Sequence, residues 1–162
     1  MATIYISIGS NINPKQNIKY ALNDLRELFG DIECSSSYES KSVGFEGDNF
    51  INLVVSAETG LDIPAVHTRL HEIEDQHGRD RRGPRFSSRT IDLDLLLYDD
   101  EVFEQGKLKI PRDEIVKNAF VLCPLAELAP QLKHPIIGKT YTQLWQEFDK
   151  DSQPLWRIDR TA

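Results

Sequence analysis

Cysteine is scarce in this chain. Cys34 and Cys123 are the only two, far apart in sequence and outside any CxxC or Cys/His metal spacing, so neither a disulfide framework nor a zinc site has support. They read as buried free thiols. Long apolar runs are missing as well. No stretch approaches the roughly 20 apolar residues of a membrane-spanning helix, and the opening MATIYISIGS lacks the basic and apolar regions of a signal peptide. A cytoplasmic protein without a membrane partner is expected. Internal repeats and low-complexity tracts are absent, and IGSNINP matches neither GxxxxGKS/T nor GxGxxG. Any nucleotide would therefore need another scaffold. Positive charge is also in deficit: a net charge of −7 argues against a surface built throughout for nucleic acid. No nucleic-acid partner is expected, and no interface stripe sets an oligomeric state.

What the chain does contain is periodicity. With 162 residues and 40% hydrophobic content, it has enough apolar material for one packed core, and a single domain over residues 1–162 is expected. In TIYISIG, Ile4, Ile6 and Ile8 alternate with Tyr5, Ser7 and Gly9, the period of a strand. Pro14 then opens a helix on which Ile18, Leu22, Leu25 and Phe29 fall at helical spacing up to Gly30. A strand from about Ile32 to Ser40 follows, then the polar loop SVGFEGDN. In FINLVVSAET, Ile51, Leu53, Val55 and Ala57 share one face, and Phe50, Asn52, Val54 and Ser56 the other. A second helix begins near Pro64 and carries Val66, Leu70 and Ile73, with Gly78 as its expected C-cap. In TIDLDLLL, Ile91, Leu93, Leu95 and Leu97 form the apolar face, opposite Thr90, Asp92 and Asp94.

The order strand, helix, strand, strand, helix, strand is that of an α+β, ferredoxin-like βαββαβ sandwich. Such a fold has a mostly antiparallel sheet with both helices on one face and the other face open. Parity then places Asp92 and Asp94 on the open face with Phe50 and Asn52. Beyond the fourth strand, EVFEQGKLKIP reads as an added hairpin and NAFVLCPLAELAP as a short helix ended by Pro130, a C-terminal extension.

Two aspartates in an apolar strand pose a chemical question, because an unpaired carboxylate out of water is costly. At i and i+2 on a strand they project side by side, and their hard oxygens suit magnesium. Two protein ligands suffice when substrate phosphates and water supply the rest. Just upstream, GRDRRGPRFSSR places five arginines within eleven residues, with Asp80 the one acidic residue among them. Positive groups beside a magnesium pair are what phosphoryl transfer uses to neutralise charge on non-bridging oxygens. His67 and His71, one helical turn apart with Glu74 three residues on, have a spacing that suits zinc, yet they flank an apolar stripe and read as its polar shoulder.

IGSN at Ile8 to Asn11, Phe50-Ile51-Asn52, IEDQHGR ending at Arg79, RTIDLDLLLYD and AFVLCPLAELAP occur in an order and spacing that resemble a known family. That family is the 6-hydroxymethyl-7,8-dihydropterin pyrophosphokinases of folate biosynthesis, and the likeness extends to about Pro130. The resemblance implies transfer of diphosphate from ATP, as co-substrate, to the hydroxymethyl oxygen of the pterin, with release of AMP. It implies that Asp92 and Asp94 hold two magnesium ions and that Arg79 and Arg89 are catalytic. Glu74, Arg81, Arg85, Phe86, Lys107 and Arg112 would line the nucleotide side. For the pterin it implies Asn52 at the heterocycle edge, Phe50 and Phe120 on the two ring faces, and backbone groups near Ser40, Val43 and Gly44.

The chain also departs from that family. Where a Pro-His pair and, later, an arginine before Ala-Phe are usual, it reads PRDE, with Arg112 and Asp113, and then Asn118; Phe86 stands where Trp is common. A second expectation therefore stays open: a divergent paralogue that binds pterin or nucleotide with weak or no transfer. A DxD-type sugar-nucleotide transferase fits poorly, because the chain is short and has no Rossmann-like order.

Overall fold

A computed structural model describes residues 1–41, 49–77 and 91–158. The expected C-cap Gly78 lies outside them. The first strand, β1 (Ala2–Ser10), is followed by helix α1 (Pro14–Phe29). Pro14 supplies a preset φ at the first helical turn, and Gly30, at φ 82°, ends the helix while its N–H donates to Arg26 O. The strand expected from Ile32 to Ser40 is two strands, β2 (Ile32–Cys34) and β3 (Ser37–Ser40). They are interrupted where the Ser35 hydroxyl accepts from Val54 N at 3.0 Å. A serine side chain there replaces a ladder hydrogen bond, which periodicity does not reveal.

Next come β4 (Phe50–Thr59) and α2 (Ile63–Gln76), whose N-cap Asp62 accepts from Ala65 N. β5 (Asp92–Tyr98) follows, then a hairpin of β6 (Phe103–Gln105) and β7 (Leu108–Ile110). Three helices complete the described core: α3 (Glu114–Lys117), α4 (Ala119–Leu128) and α5 (Tyr141–Glu147). The last strand, β8 (Leu155–Ile158), comes from the tail, where no strand was expected.

The main sheet runs β5-β1-β4-β3-β8, with β2 also paired to β4, and each of its described pairings is antiparallel. The core against α1 and α2 collects the expected positions Ile4, Ile6, Ile8, Leu53, Val55, Leu22, Leu25, Val66 and Leu70. One expected position moves. The β1–β5 register shifts between Tyr5 and Ile6, so Leu95 opposes Ile6 while Leu97 opposes Tyr5. A bulge adds one residue to one strand, and a one-residue slip turns every later side chain over. Leu97 therefore joins Leu96 on the face away from α1 and α2, not the face of Leu93 and Leu95.

That second face is the larger correction. It was expected to stay open, with helices on one side only. Instead, Tyr5, Val54, Leu96 and Leu97 pack there with Ile115, Val121, Leu122, Leu125 and Tyr141 from α3, α4 and α5. Val54 and Leu96 fall on this face by alternation and the slip adds Leu97, so its far end is an apolar patch that must be covered. Among the described residues, these helices leave the end carrying Asp92, Gly9 and Asn52 uncovered. Cys34 packs on the α1 side while Cys123 sits on α4 across the sheet, and both are free.

Tyr141 is fully buried, and among the described residues its hydroxyl has no hydrogen-bond partner. Burial pushes its pKa well up from the ordinary 10.0. An unpartnered buried hydroxyl costs about 1–3 kcal/mol. Tyr141→Phe is therefore expected to leave stability to urea unchanged or raise it by about 1 kcal/mol, and a clear loss would show that the hydroxyl is bonded in solution.

Candidate active site

The sheet register aligns one row of residues across four strands. Asp92 opposes Gly9, Gly9 opposes Asn52, and Asn52 opposes Tyr38. Directly opposed residues share a face, so Asp92, Asn52 and Tyr38 all project away from α1 and α2. In the next row Asp94 opposes Ser7, and Ser7 opposes Val54. With strands about 4.8 Å apart, the backbones of Asp92 and Asn52 are separated by about 10 Å. Gly9 between them is a steric requirement, because a Cβ there would stand 2.7 Å from Asn52 Oδ1. The carboxamide of Asn52 thus lies over Gly9, and Asn52 itself is only 7% exposed.

The two aspartates are half-buried, and the strand beneath them is held from the helix side. Glu74 of α2 is 2% exposed, and its Oε2 accepts from Leu93 N at 2.8 Å. That bond fixes the backbone between Asp92 and Asp94. Glu74 was expected at the nucleotide; its described bond is to this strand.

Arg112 approaches from the other side. It follows the cis Ile110–Pro111 bond, and its N–H donates to Leu96 O at 3.2 Å. Its Nη1 lies 3.8 Å from Asp94 Oδ1, and Nε donates to Glu114 Oε2 at 2.6 Å, with Nη2 on the same carboxylate. Burial opposes the charge, but Asp94 and Glu114 outweigh it and raise the guanidinium's pKa. The two-point grip of Glu114 aims one edge of the guanidinium at Asp94.

Phe50 and Ser40 oppose each other at the open end of β4 and β3. Phe120 stands in the first turn of α4, half-buried beside the second core. Helix α4 is anchored at both ends. Gln153 Oε1 accepts from Ala119 N at 2.9 Å and Gln153 Nε2 donates to Lys117 O at 2.8 Å. At the far end, Glu127 accepts from Ser36 N and Ser36 Oγ, each at 2.9 Å, and from the Tyr38 hydroxyl at 2.5 Å.

One end of the sheet and its flanks thus hold the expected Asp92, Asp94, Asn52, Phe50, Ser40, Glu74 and Arg112. Lys107 is exposed between β6 and β7, with no described contact to the carboxylates. Arg79, Arg81, Arg85, Phe86, Arg89, Val43 and Gly44 lie outside the described residues. The rings of His67 and His71 are 4.1 Å apart, and no group of three or more metal-ligating side chains occurs among the described residues. Sequence reading missed Gly9, Tyr38, Glu114, Glu127 and Gln153. Glu127 had a signal, as the only charged residue in the apolar helix AFVLCPLAEL.

Residues 5–130 match a family model described as 7,8-dihydro-6-hydroxymethylpterin-pyrophosphokinase. The chain is 39% identical over 143 residues to a 2-amino-4-hydroxy-6-hydroxymethyldihydropteridine pyrophosphokinase of Aquifex aeolicus, covering 86% of this chain and 88% of the relative. It is 35% identical over 152 residues to the Haemophilus influenzae protein of the same name, covering 91% and 94%. Among solved structures, Plasmodium falciparum HPPK-DHPS with pterin and p-hydroxybenzoate aligns with a TM-score of 0.73 at 16% identity. That alignment covers 90% of this chain but 43% of the other, and at such identity it speaks to the fold alone.

The Glu127 bonds predict a pH dependence. Burial pushes its carboxyl up, but bonds from Tyr38 and Ser36, aided by Arg157, hold it below the ordinary 4.5. A depressed carboxyl contributes stability that is complete above the unfolded value and lost as pH falls through the folded one. Urea denaturation of wild type and Glu127→Gln is expected to show the widest gap above about pH 4.5, narrowing in acid. A gap independent of pH would contradict these bonds.

Proposed function

The chain belongs to the 7,8-dihydro-6-hydroxymethylpterin-pyrophosphokinase family, and from that premise we propose that it makes folate precursors by transferring diphosphate from ATP to 6-hydroxymethyl-7,8-dihydropterin, releasing AMP. The observation that carries this reading is the row Asp92, Gly9, Asn52. It sets a hard oxygen ligand and a side-chain amide on one face of the sheet, on backbones about 10 Å apart with only a glycine between them, so that a flat bicyclic ring bound at the amide can point its hydroxymethyl arm at the carboxylates. The same premise supports a ferredoxin-like assignment for the β1 to β5 core, a single domain over residues 1–162, and a cytoplasmic site of action. No helix among the described residues is long and apolar enough to cross a membrane.

The donor set fits magnesium. Asp92 and Asp94 offer carboxylate oxygens alone, side by side and half-exposed, so waters and triphosphate oxygens can complete the shell. Two magnesium ions held there would neutralise the triphosphate and lower the pKa of the substrate hydroxyl.

The chain's own groups do the positioning. Asn52 offers both a donor and an acceptor to the pterin edge, and Phe50 and Phe120 restrict the ring plane by stacking. Ser40, with Val43 and Gly44, would close the pocket. The hydroxymethyl oxygen then forms a bond to the β-phosphorus while the bond from that phosphorus to the oxygen bridging to the α-phosphorus breaks. AMP departs with that oxygen, and the hydroxyl proton passes to solvent. Arg112, aimed by Glu114 beside Asp94, supplies positive charge where the triphosphate lies. By likeness to the family, Arg79 and Arg89 would serve the reacting phosphates, and Arg81, Arg85, Phe86 and Lys107 the nucleotide. Holding both reactants in line is the main source of acceleration.

Retention of Asp92, Asp94, Arg79 and Arg89 favours turnover over the paralogue that only binds. Incubation with magnesium, ATP and the dihydropterin is expected to yield pterin diphosphate and AMP in equal amounts. ADP would mean transfer of a single phosphoryl group, and binding without turnover would favour the paralogue. Asp94→Ala is expected to lower kcat by about a thousandfold with the fold intact by circular dichroism. Gly9→Ala is expected to raise the pterin KM about tenfold by displacing Asn52, while leaving ATP affinity within about twofold.

A further inference from the structure

We propose that Tyr38 and Glu127 are positioning residues that set how far Phe120 stands from Phe50 and Asn52, and so set affinity for the pterin. The inference rests on the pterin reading above, and its own support is the direction and anchoring of α4.

Residues 120, 123 and 127 lie along one side of that helix, since seven residues make close to two full turns. The two ends of the helix have defined heights over β3. Glu127 bonds Ser36 and Tyr38 at one end of α4, and at the other Gln153, two residues before the Leu155 that opposes Ser40, accepts from Ala119 N. Going from Glu127 to Ala119 therefore means moving along β3 away from Ser36. The same direction leads to Phe120, about 10 Å from Glu127 along the axis. Along β3 that direction leads to Ser40, which opposes Phe50. The helix thus carries Phe120 to the open end of the row, and the carboxylate of Glu127 ties its other end to β3.

Tyr38 makes the link direct. It opposes Asn52 on the shared face, so one residue pairs with the strand that bears the amide through its backbone and with the helix that bears the second ring through its hydroxyl. Three hydrogen bonds converge on the Glu127 carboxylate, and bonds to a charged acceptor are stronger than neutral ones. Gln153 secures only the first turn of α4. Without Glu127, the helix keeps that tether and its buried residues Val121, Leu122 and Leu125, but loses its second fixed point. It remains docked and is free to tilt. A small displacement of an orienting group is enough to lose one or two orders of magnitude in binding or rate.

The test compares wild type with Glu127→Ala, Glu127→Gln and Tyr38→Phe, using purified full-length protein and fluorescence titration of 6-hydroxymethyl-7,8-dihydropterin. KM is measured separately for pterin and for ATP. Glu127→Ala is expected to weaken pterin binding and raise its KM about tenfold, with the ATP KM within about twofold. Glu127→Gln keeps acceptors for Ser36 and should restore most of the loss, while Tyr38→Phe should lie between. Equal increases in both KM values, or a Glu127→Ala protein that binds pterin like wild type, would overturn the inference while leaving the pterin reading intact. A wild-type protein that does not bind the dihydropterin would overturn both.

Discussion

The antiparallel register of β1 with its two neighbours is the constraint on which the rest of this structure depends. β1 is flanked by β5 on one side and β4 on the other, and Gly9 is the residue at which Asp92 and Asn52 meet it. A strand ladder leaves no freedom here: once Ile8 is paired with Leu53 and Leu93, the polar row beyond it follows. The carboxylate of Asp92 and the carboxamide of Asn52 are thereby held across a single glycine, with Asp94 one row on, on a paired backbone ladder. Site residues on such a ladder need little reorganisation when ligands arrive.

The bulge between Tyr5 and Ile6 divides the same face into two uses. On the side of Asp92 the face carries polar groups and a glycine; beyond the bulge, Leu96 and Leu97 turn to it and require cover. Helices α3, α4 and α5 supply that cover; Arg112, just before α3, stands 3.8 Å from Asp94, and Phe120 of α4 packs against the second core. Burial of apolar surface drives the docking, and directional bonds from Gln153, Glu127 and Glu114 define its geometry.

The charge arrangement around Asp94 is set by the segment that follows the cis Ile110–Pro111 bond. Arg112 occupies the segment PRDE, and Glu114 two residues on holds it at two points beside Asp94. A guanidinium gripped in this way is a fixed positive group whose charge persists across physiological pH. Asp113, by contrast, turns to Lys109 at 3.1 Å and leaves the site.

Alternation and helical spacing along the chain determined β1, α1, β4, α2 and β5, because a strand or helix with one apolar face must bury that face wherever it lies. The same alternation put Asp92, Asp94, Phe50 and Asn52 on one side of the sheet, and the aspartate spacing with its arginine-rich neighbour suggested the chemistry. Other features arise between elements distant in sequence, which local periodicity cannot encode. The slip that turned Leu97 over depends on how β5 meets β1. The cover on the second face depends on helices that return from the C-terminal third. Tyr38 and Glu127 are 89 residues apart, and Gln153 reaches the start of α4 from a tail that reads as featureless. Local pattern decided which side each group faces; tertiary packing alone decided which groups from the rest of the chain stand opposite them.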